Sequence, residues 1–152
     1  MSRRDQIVMT AAEIAEFLAP PRNLQVATIN PDGTPHLVTM YYAVIDGKIA
    51  FWTYRKSQKI LNLRRDPRIT VLVEDGTEYG ELRGVSIAGR AHLSEDHEAV
   101  MDVGTRLFSR YFGELNDAAR AGVEASGAKR IAITVEPERI VSWDHRKLAG
   151  GY

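Results

Sequence analysis

The sequence predicts a mainly β chain with flanking helices, built as a small, half-open antiparallel barrel with helices at its mouth. Three observations predict it. Seven runs rich in β-branched and aromatic residues are spread along the chain, most of them joined by short turn signals. An Asp-Gly pair at 46–47 stands between two such runs, as in a tight hairpin. Gly84 and Gly89 interrupt the alternating run 83–93, where a closing sheet needs bends or bulges. At 152 residues the chain is read as one domain, 1–152. A chain of this length buries roughly 70% of its unfolded surface and needs no disulfide or metal to fold.

Thr10-Ala11-Ala12-Glu13 is a capping box, in which hydroxyl and carboxylate satisfy free N–H groups at a helix start. Ile14, Phe17 and Leu18 give that helix an apolar stripe, and Pro20-Pro21 stops it. "NLQVATI" (23–29) is a strand, "NPDGTP" (30–35) a tight turn, and "HLVTMYYAVI" (36–45) a second strand. "KIAFWTY" (48–54) returns after Asp46-Gly47, so three strands form a predicted meander. "SQKILNLRRD" (57–66) is a short helix with Ser57 at its N-cap and Pro67 beyond its end. Strands follow at 68–75 and 83–93. Helices follow at 94–112, opening on Ser94, and at 116–126. Ala99, Val100, Val103, Leu107 and Tyr111 line the buried side of the first. "RIAITVEPERIVSWD" (130–144) reads as two closing strands around a Glu136-Pro137-Glu138 turn.

Composition excludes several classes. No cysteine is present, which removes disulfides, zinc-thiolate sites and iron–sulfur clusters and fits a reducing compartment. Met1 to Thr10 lack the apolar core of a signal peptide. No run approaches the ~20 apolar residues of a membrane span, so the expectation is a cytoplasmic chain. Twenty basic residues balance twenty acidic ones, so bulk charge gives no argument for nucleic acid. "GVSIA" (84–88) nearly spells the serine-hydrolase elbow, but Ser86 lies inside an alternating strand rather than at a strand-to-helix turn. His36, His92, His97 and His145 form no zinc-helix pair, and a Rossmann or P-loop glycine pattern is absent.

One stretch breaks the local rules. In "FWTYRKSQKILNLRRDPR" (51–68), Arg55, Lys56 and Lys59 crowd a helix N-terminus, where they repel the helix dipole. Free N–H groups at such a start, with the Ser57 hydroxyl and the Lys59 ammonium, make an anion site. The plainer reading is that Ser57 caps the helix while the bases are solvated. The spacing favours the site, because broken local rules cluster where function is. Arg64 and Arg65 lie near the helix C-terminus, where bases belong, and are read as structural.

Strand–Thr53-Tyr54-x-x-Ser57-x-Lys59, with Leu63 and Asp66-Pro67-Arg68 leading into the next strand, resembles the phosphate-binding segment of the pyridoxamine 5′-phosphate oxidase-like split β-barrels. "VATINPDGTPHLVTMYY" is similar to that superfamily's first hairpin, and the likeness runs from about 10 to 145. "KILNLRRDPRITVLVED" and "VSWDHRKLAGGY" look more like the flavin/deazaflavin oxidoreductases of the B group, which bind coenzyme F-420 or flavin. The resemblance implies a homodimer with cofactor grooves between subunits. It implies phosphate contacts at Ser57 and Lys59, with Arg55 and Lys56 adding positive field. Thr53 and the strand around Val38, Thr39 and Met40 would lie beside the ring. Tyr41, Tyr42, Trp52 and His145 are candidate substrate neighbours, although the ordinary role of such aromatics is packing. The oxidase itself carries Arg-x-x-Leu-x-Lys along the second strand to hold FMN phosphate. Here that stretch is His36-Leu37-Val38-Thr39-Met40-Tyr41, and the arginine-rich C-terminal substrate motif is missing too.

The expectation is therefore an oxidoreductase that uses coenzyme F-420 to reduce a small conjugated substrate by hydride transfer. Its alternatives are an FMN-dependent oxidase or reductase of the same fold, and a non-catalytic cofactor- or haem-binding protein. A single-strand nucleic-acid binder using 55–68 as a basic stripe is the reading from another class; with one basic segment in a balanced chain, no nucleic-acid partner is expected.

Overall fold

The computed structural model describes residues 1–148. Two of its tight turns are set by local chemistry. Asp46 and Gly47 both take positive φ, 52° and 76°, as the tight turn between β3 (Ala43–Ile45) and β4 (Lys48–Tyr54) requires. Gly33, at φ 87°, closes the turn between β1 (Leu24–Ile29) and β2 (Pro35–Met40), where the Asp32 carboxylate accepts from the Thr34 N–H and hydroxyl. The helices are α1 (Arg3–Gln6), α2 (Ala11–Leu18), α3 (Gln58–Arg65), α4 (His97–Tyr111) and α5 (Asp117–Gly127). Strands β5 (Arg68–Asp75), β6 (Arg83–Ser94) and β7 (Arg130–Asp144) complete one antiparallel sheet in the order β2-β1-β5-β6-β7-β4-β3.

That order dictates a curled sheet. β2 and β3 lie at opposite edges, yet only Tyr41 and Tyr42 separate them in the chain. In a flat sheet, six strand spacings would hold the edges roughly 29 Å apart. Three Cα steps from Met40 to Ala43 reach at most about 11 Å. The edges must therefore come round toward each other, which makes the half-barrel. Tyr42 is fully buried at this junction; its hydroxyl donates to the Leu18 carbonyl at 2.9 Å, and its N–H donates to the Tyr111 hydroxyl at 3.2 Å.

The interior face holds the main core: Leu24, Val26, Phe51, Val71, Val73, Val85, Ile131, Ile133 and Val135 from the strands, with Phe17, Leu18, Ile60 and Leu63 from α2 and α3. Each such side chain stabilises the fold by roughly 1.5–3 kcal/mol, an upper figure because the unfolded chain is partly collapsed. A second, smaller core lies on the outer face, where Ala43, Ala50 and Ala132 meet Val100, Val103 and Leu107 of α4. The small alanines let α4 approach the sheet.

Three expectations need correction. The three-strand meander does not form: residues 36–45 split at Tyr41-Tyr42, β2 pairs with β1, and β4 pairs with β3 and β7. Residues 130–144 are one long strand, not a hairpin. Pro137 sits opposite Gly89 and Glu138 is the extra residue of a bulge, which tolerates a proline that cannot donate to the ladder. A Cβ on Gly89 would stand 1.9 Å from the Glu136 carbonyl oxygen, so glycine is required there. The number of strands is still seven, because one predicted strand splits and two merge. Helix α4 is capped by Asp96 rather than Ser94, which ends β6.

Candidate functional site

Along β4 the alternation decides which side chains meet. Phe51 and Thr53 belong to the buried side, whereas Trp52 packs with the outer core and Tyr54 is exposed. Ser57 then turns the chain into α3 with extended backbone, φ −69° and ψ 155°. It occupies the N-cap position, but its hydroxyl makes no capping hydrogen bond. The Ser57 Oγ is buried and has no partner.

Lys59 lies in the first turn of α3. The plainer reading of this stretch has a solvated base here, but the side chain is 8% exposed. Its ammonium donates to the Thr53 hydroxyl at 3.0 Å, and no carboxylate pairs with it among the described residues. Burial, and then the nearby Arg130 guanidinium, holds its pKa below the ordinary lysine value. Asn62, also fully buried, anchors the helix from below by donating to Thr28 and Asn30 at 3.1 and 3.0 Å.

The other bases of this stretch divide. Arg55 donates to the Ala128 carbonyl at 2.5 Å, beyond the end of α5, where a cation suits the helix dipole. Lys56 is exposed and unpaired among the described residues. Arg64 pairs with Glu95 at 3.4 Å and Arg65 donates to the Ile29 carbonyl, the structural roles expected of them.

A cavity of about 710 Å³ opens between the outer face of β4, the end of β2 and helices α4 and α5. Thr39, Met40, Tyr41 and Trp52 line it, so the structure brings these four predicted residues together. Thr39 donates to Gln25 Oε1 at 2.6 Å, and Tyr41 stacks on Tyr111 with centroids 4.0 Å apart. Val38 does not line it; Val38 and Met40 both pack against the main core, in which Tyr42 is buried. His145 lies elsewhere: its Nδ1 is 2.8 Å from the Tyr79 carbonyl oxygen and its ring tilts against Tyr79. Residues 149–152 of the tail motif lie outside the described residues.

Sequence reasoning missed Gly104, Gly122 and Arg130, which also line the cavity. Arg130 opens β7 opposite Tyr54, and its guanidinium lies 4.2 Å from the Tyr54 ring centroid and 4.9 Å from that of Trp52. Its Nε is buried without a partner. Nothing in the one-dimensional pattern marks it, because its neighbours come from a strand distant in sequence.

A buried ammonium without an anionic partner and an orphaned hydroxyl thus stand at one helix start. The chain as a whole has relatives among known proteins. A conserved hypothetical protein from Mycobacterium tuberculosis, Rv2991, shares 46% identity over 99% of this chain and 98% of its own, with a TM-score of 0.91. An F-420 reductase is 26% identical over 82% of this chain and 93% of its own, with a TM-score of 0.66. HutZ, the haem storage protein of Vibrio cholerae, is 17% identical over 86% of this chain and 93% of its own, with a TM-score of 0.68, a likeness of fold alone. No curated protein matches. The family model described as pyridoxamine 5′-phosphate oxidase matches residues 10–144, and the chain belongs to that family.

Proposed function

We propose that this member of the pyridoxamine 5′-phosphate oxidase family is an oxidoreductase that binds coenzyme F-420 and reduces a small conjugated substrate. One observation carries the reading: the buried Lys59 ammonium and the orphaned Ser57 hydroxyl stand at the same helix start without an anionic partner. A buried cation is costly unless something compensates it, and a phosphate at the helix N-terminus would do so. The residues present thus fit the phosphate end of such a cofactor. Ser57 and Lys59 would hold the phosphate, and Thr53 would fix the ammonium in place. Thr39, Met40 and Tyr41 would border the ring, with Val38 supporting the strand from the core side. Lys56 and Arg55 would add positive field along the edge toward a longer anionic tail. Bound there, the deazaflavin ring supplies hydride transfer.

FMN is the second reading, with a non-catalytic cofactor- or haem-binding role as a third. Against FMN stands residues 36–41, which offer neither Arg nor Lys as a second phosphate arm. Parallel titration of F-420 and FMN at two salt concentrations, with hydrogen peroxide assayed in air, tests the choice. F-420 should bind about tenfold tighter and lose affinity in high salt as its exposed tail is screened. Tighter FMN binding with peroxide release would overturn the reading.

The reading includes a cytoplasmic homodimer. No helix of the described residues is long and apolar enough to cross a membrane. Leu37, Tyr41 and Phe112 are 67%, 44% and 64% exposed around the β2 edge and the cavity mouth, a patch that a two-fold partner would cover. Light scattering at micromolar concentration should give twice the chain's 17.0 kDa; a monomer mass would remove the shared groove.

A further inference from the structure

Ser57 and Lys59 account for one anion. They leave unexplained why a second cation, Arg130, faces an apolar cavity. Its guanidinium lies over Trp52 and Tyr54, an arrangement that uses the flat face and leaves the in-plane N–H groups free to donate. Among the described residues those groups meet no carboxylate, and the buried Nε meets no acceptor at all. A desolvated donor left unmade is unfavourable, so the site favours a ligand that brings an acceptor.

Two glycines shape the space next to it. A Cβ on Gly104 would stand 2.4 Å from the Trp52 indole, so glycine is what lets the ring lie against α4. Gly122 is the reverse case. It sits inside α5 and lines the cavity, and a Cβ there would meet nothing within 4 Å. Glycine inside a helix is unfavourable relative to alanine, and no packing demands it here. Its effect is to keep the cavity wall low.

From the stacked cation, the flat indole and the open wall, we infer that this cavity takes a small planar aromatic acid, its ring on Trp52 and its carboxylate on Arg130. That such an acid is the substrate rests on the function proposed above; that it binds does not.

The test is calorimetric titration of the cofactor-free protein with 2-naphthoate and with the neutral 2-naphthamide. Naphthoate should bind at least tenfold tighter than the amide. Arg130→Gln should bring naphthoate down to the amide's affinity and leave the amide unchanged, Arg130→Lys should recover part of the loss, and Gly122→Leu should weaken both ligands. Equal affinity of acid and amide on the wild-type protein would overturn the inference, whatever the variants do. Displacement of naphthoate by an equal concentration of inorganic phosphate would also overturn it, assigning Arg130 to the phosphate end. Because no cofactor is present, failure of F-420 to bind would count against the proposed function and leave this result standing. Failure of naphthoate would do the opposite.

Discussion

Helices α2 and α3 begin on nearly the same backbone and end up doing opposite things. Thr10 and Ser57 both carry a hydroxyl, and both are extended at the N-cap, with φ −71° and −69°. At α2 the hydroxyl accepts from the Glu13 N–H, and the Glu13 carboxylate accepts from the Thr10 N–H, each at 3.2 Å. Lys147 then pairs with Glu13 at 2.5 Å. The capping hydroxyl, the carboxylate and the ammonium are all paired at that start. At α3 the residue in Glu13's place is Ile60, so no reciprocal capping bond exists, and the hydroxyl stays unpartnered. Helices α1, α4 and α5 follow α2, each capped by its own Ser, Asp or Asn side chain. A closed helix start stabilises the fold; an open one holds donors in reserve for a ligand.

The sharpest way to break this contrast is Lys59→Met, which keeps the buried stem and removes the charge. Phosphate-bearing cofactor should bind roughly 10- to 100-fold more weakly by titration, the loss of a charge-assisted hydrogen bond. Folding stability in urea should hold or rise, since an unpaired buried ammonium is gone. Wild-type affinity in the folded variant would place the phosphate elsewhere. The pH profile sharpens the same point. The folded pKa of Lys59 lies below its ordinary 10.5, so the fold disfavours the charged form. Stability should therefore recover as pH rises through the folded pKa toward 10.5. Anion affinity needs the ammonium and should fall over that same rise, a slope that Lys59→Met should lack.

The smaller effect compares the two hydroxyls directly. Thr10→Ala removes a used cap and should cost about 1 kcal/mol in urea denaturation. Ser57→Ala removes an unused one and should cost less than about 0.5 kcal/mol, while weakening cofactor binding several-fold. Equal stability losses would mean that the α3 start is closed in solution as well, and the contrast would be void.

Much of this was legible in the chain. The capping box, Asp46-Gly47 and the Asn-Pro-Asp-Gly turn are satisfied by residues within a few positions of each other, so sequence alone fixes them. Ser57 with Lys59 was legible as a broken local rule, and Thr39, Met40, Tyr41 and Trp52 through a family likeness. Three things depended on strand pairing across long separations, which no local pattern records. The first is the break at Tyr41-Tyr42, where neither glycine nor proline marks the change of sheet edge. The second is Pro137, which looks like a turn and is a bulge residue because Gly89 lies opposite. The third is Arg130, whose partners Tyr54 and Trp52 reach it only once β4 and β7 are laddered. The sequence by itself thus determined the helices, the tight turns and the charged helix start, because those are set by short-range hydrogen bonding and periodicity. The tertiary structure decided that Lys59 is buried and that a second cation faces the cavity, because burial and desolvation are properties of the closed sheet and not of any segment in it.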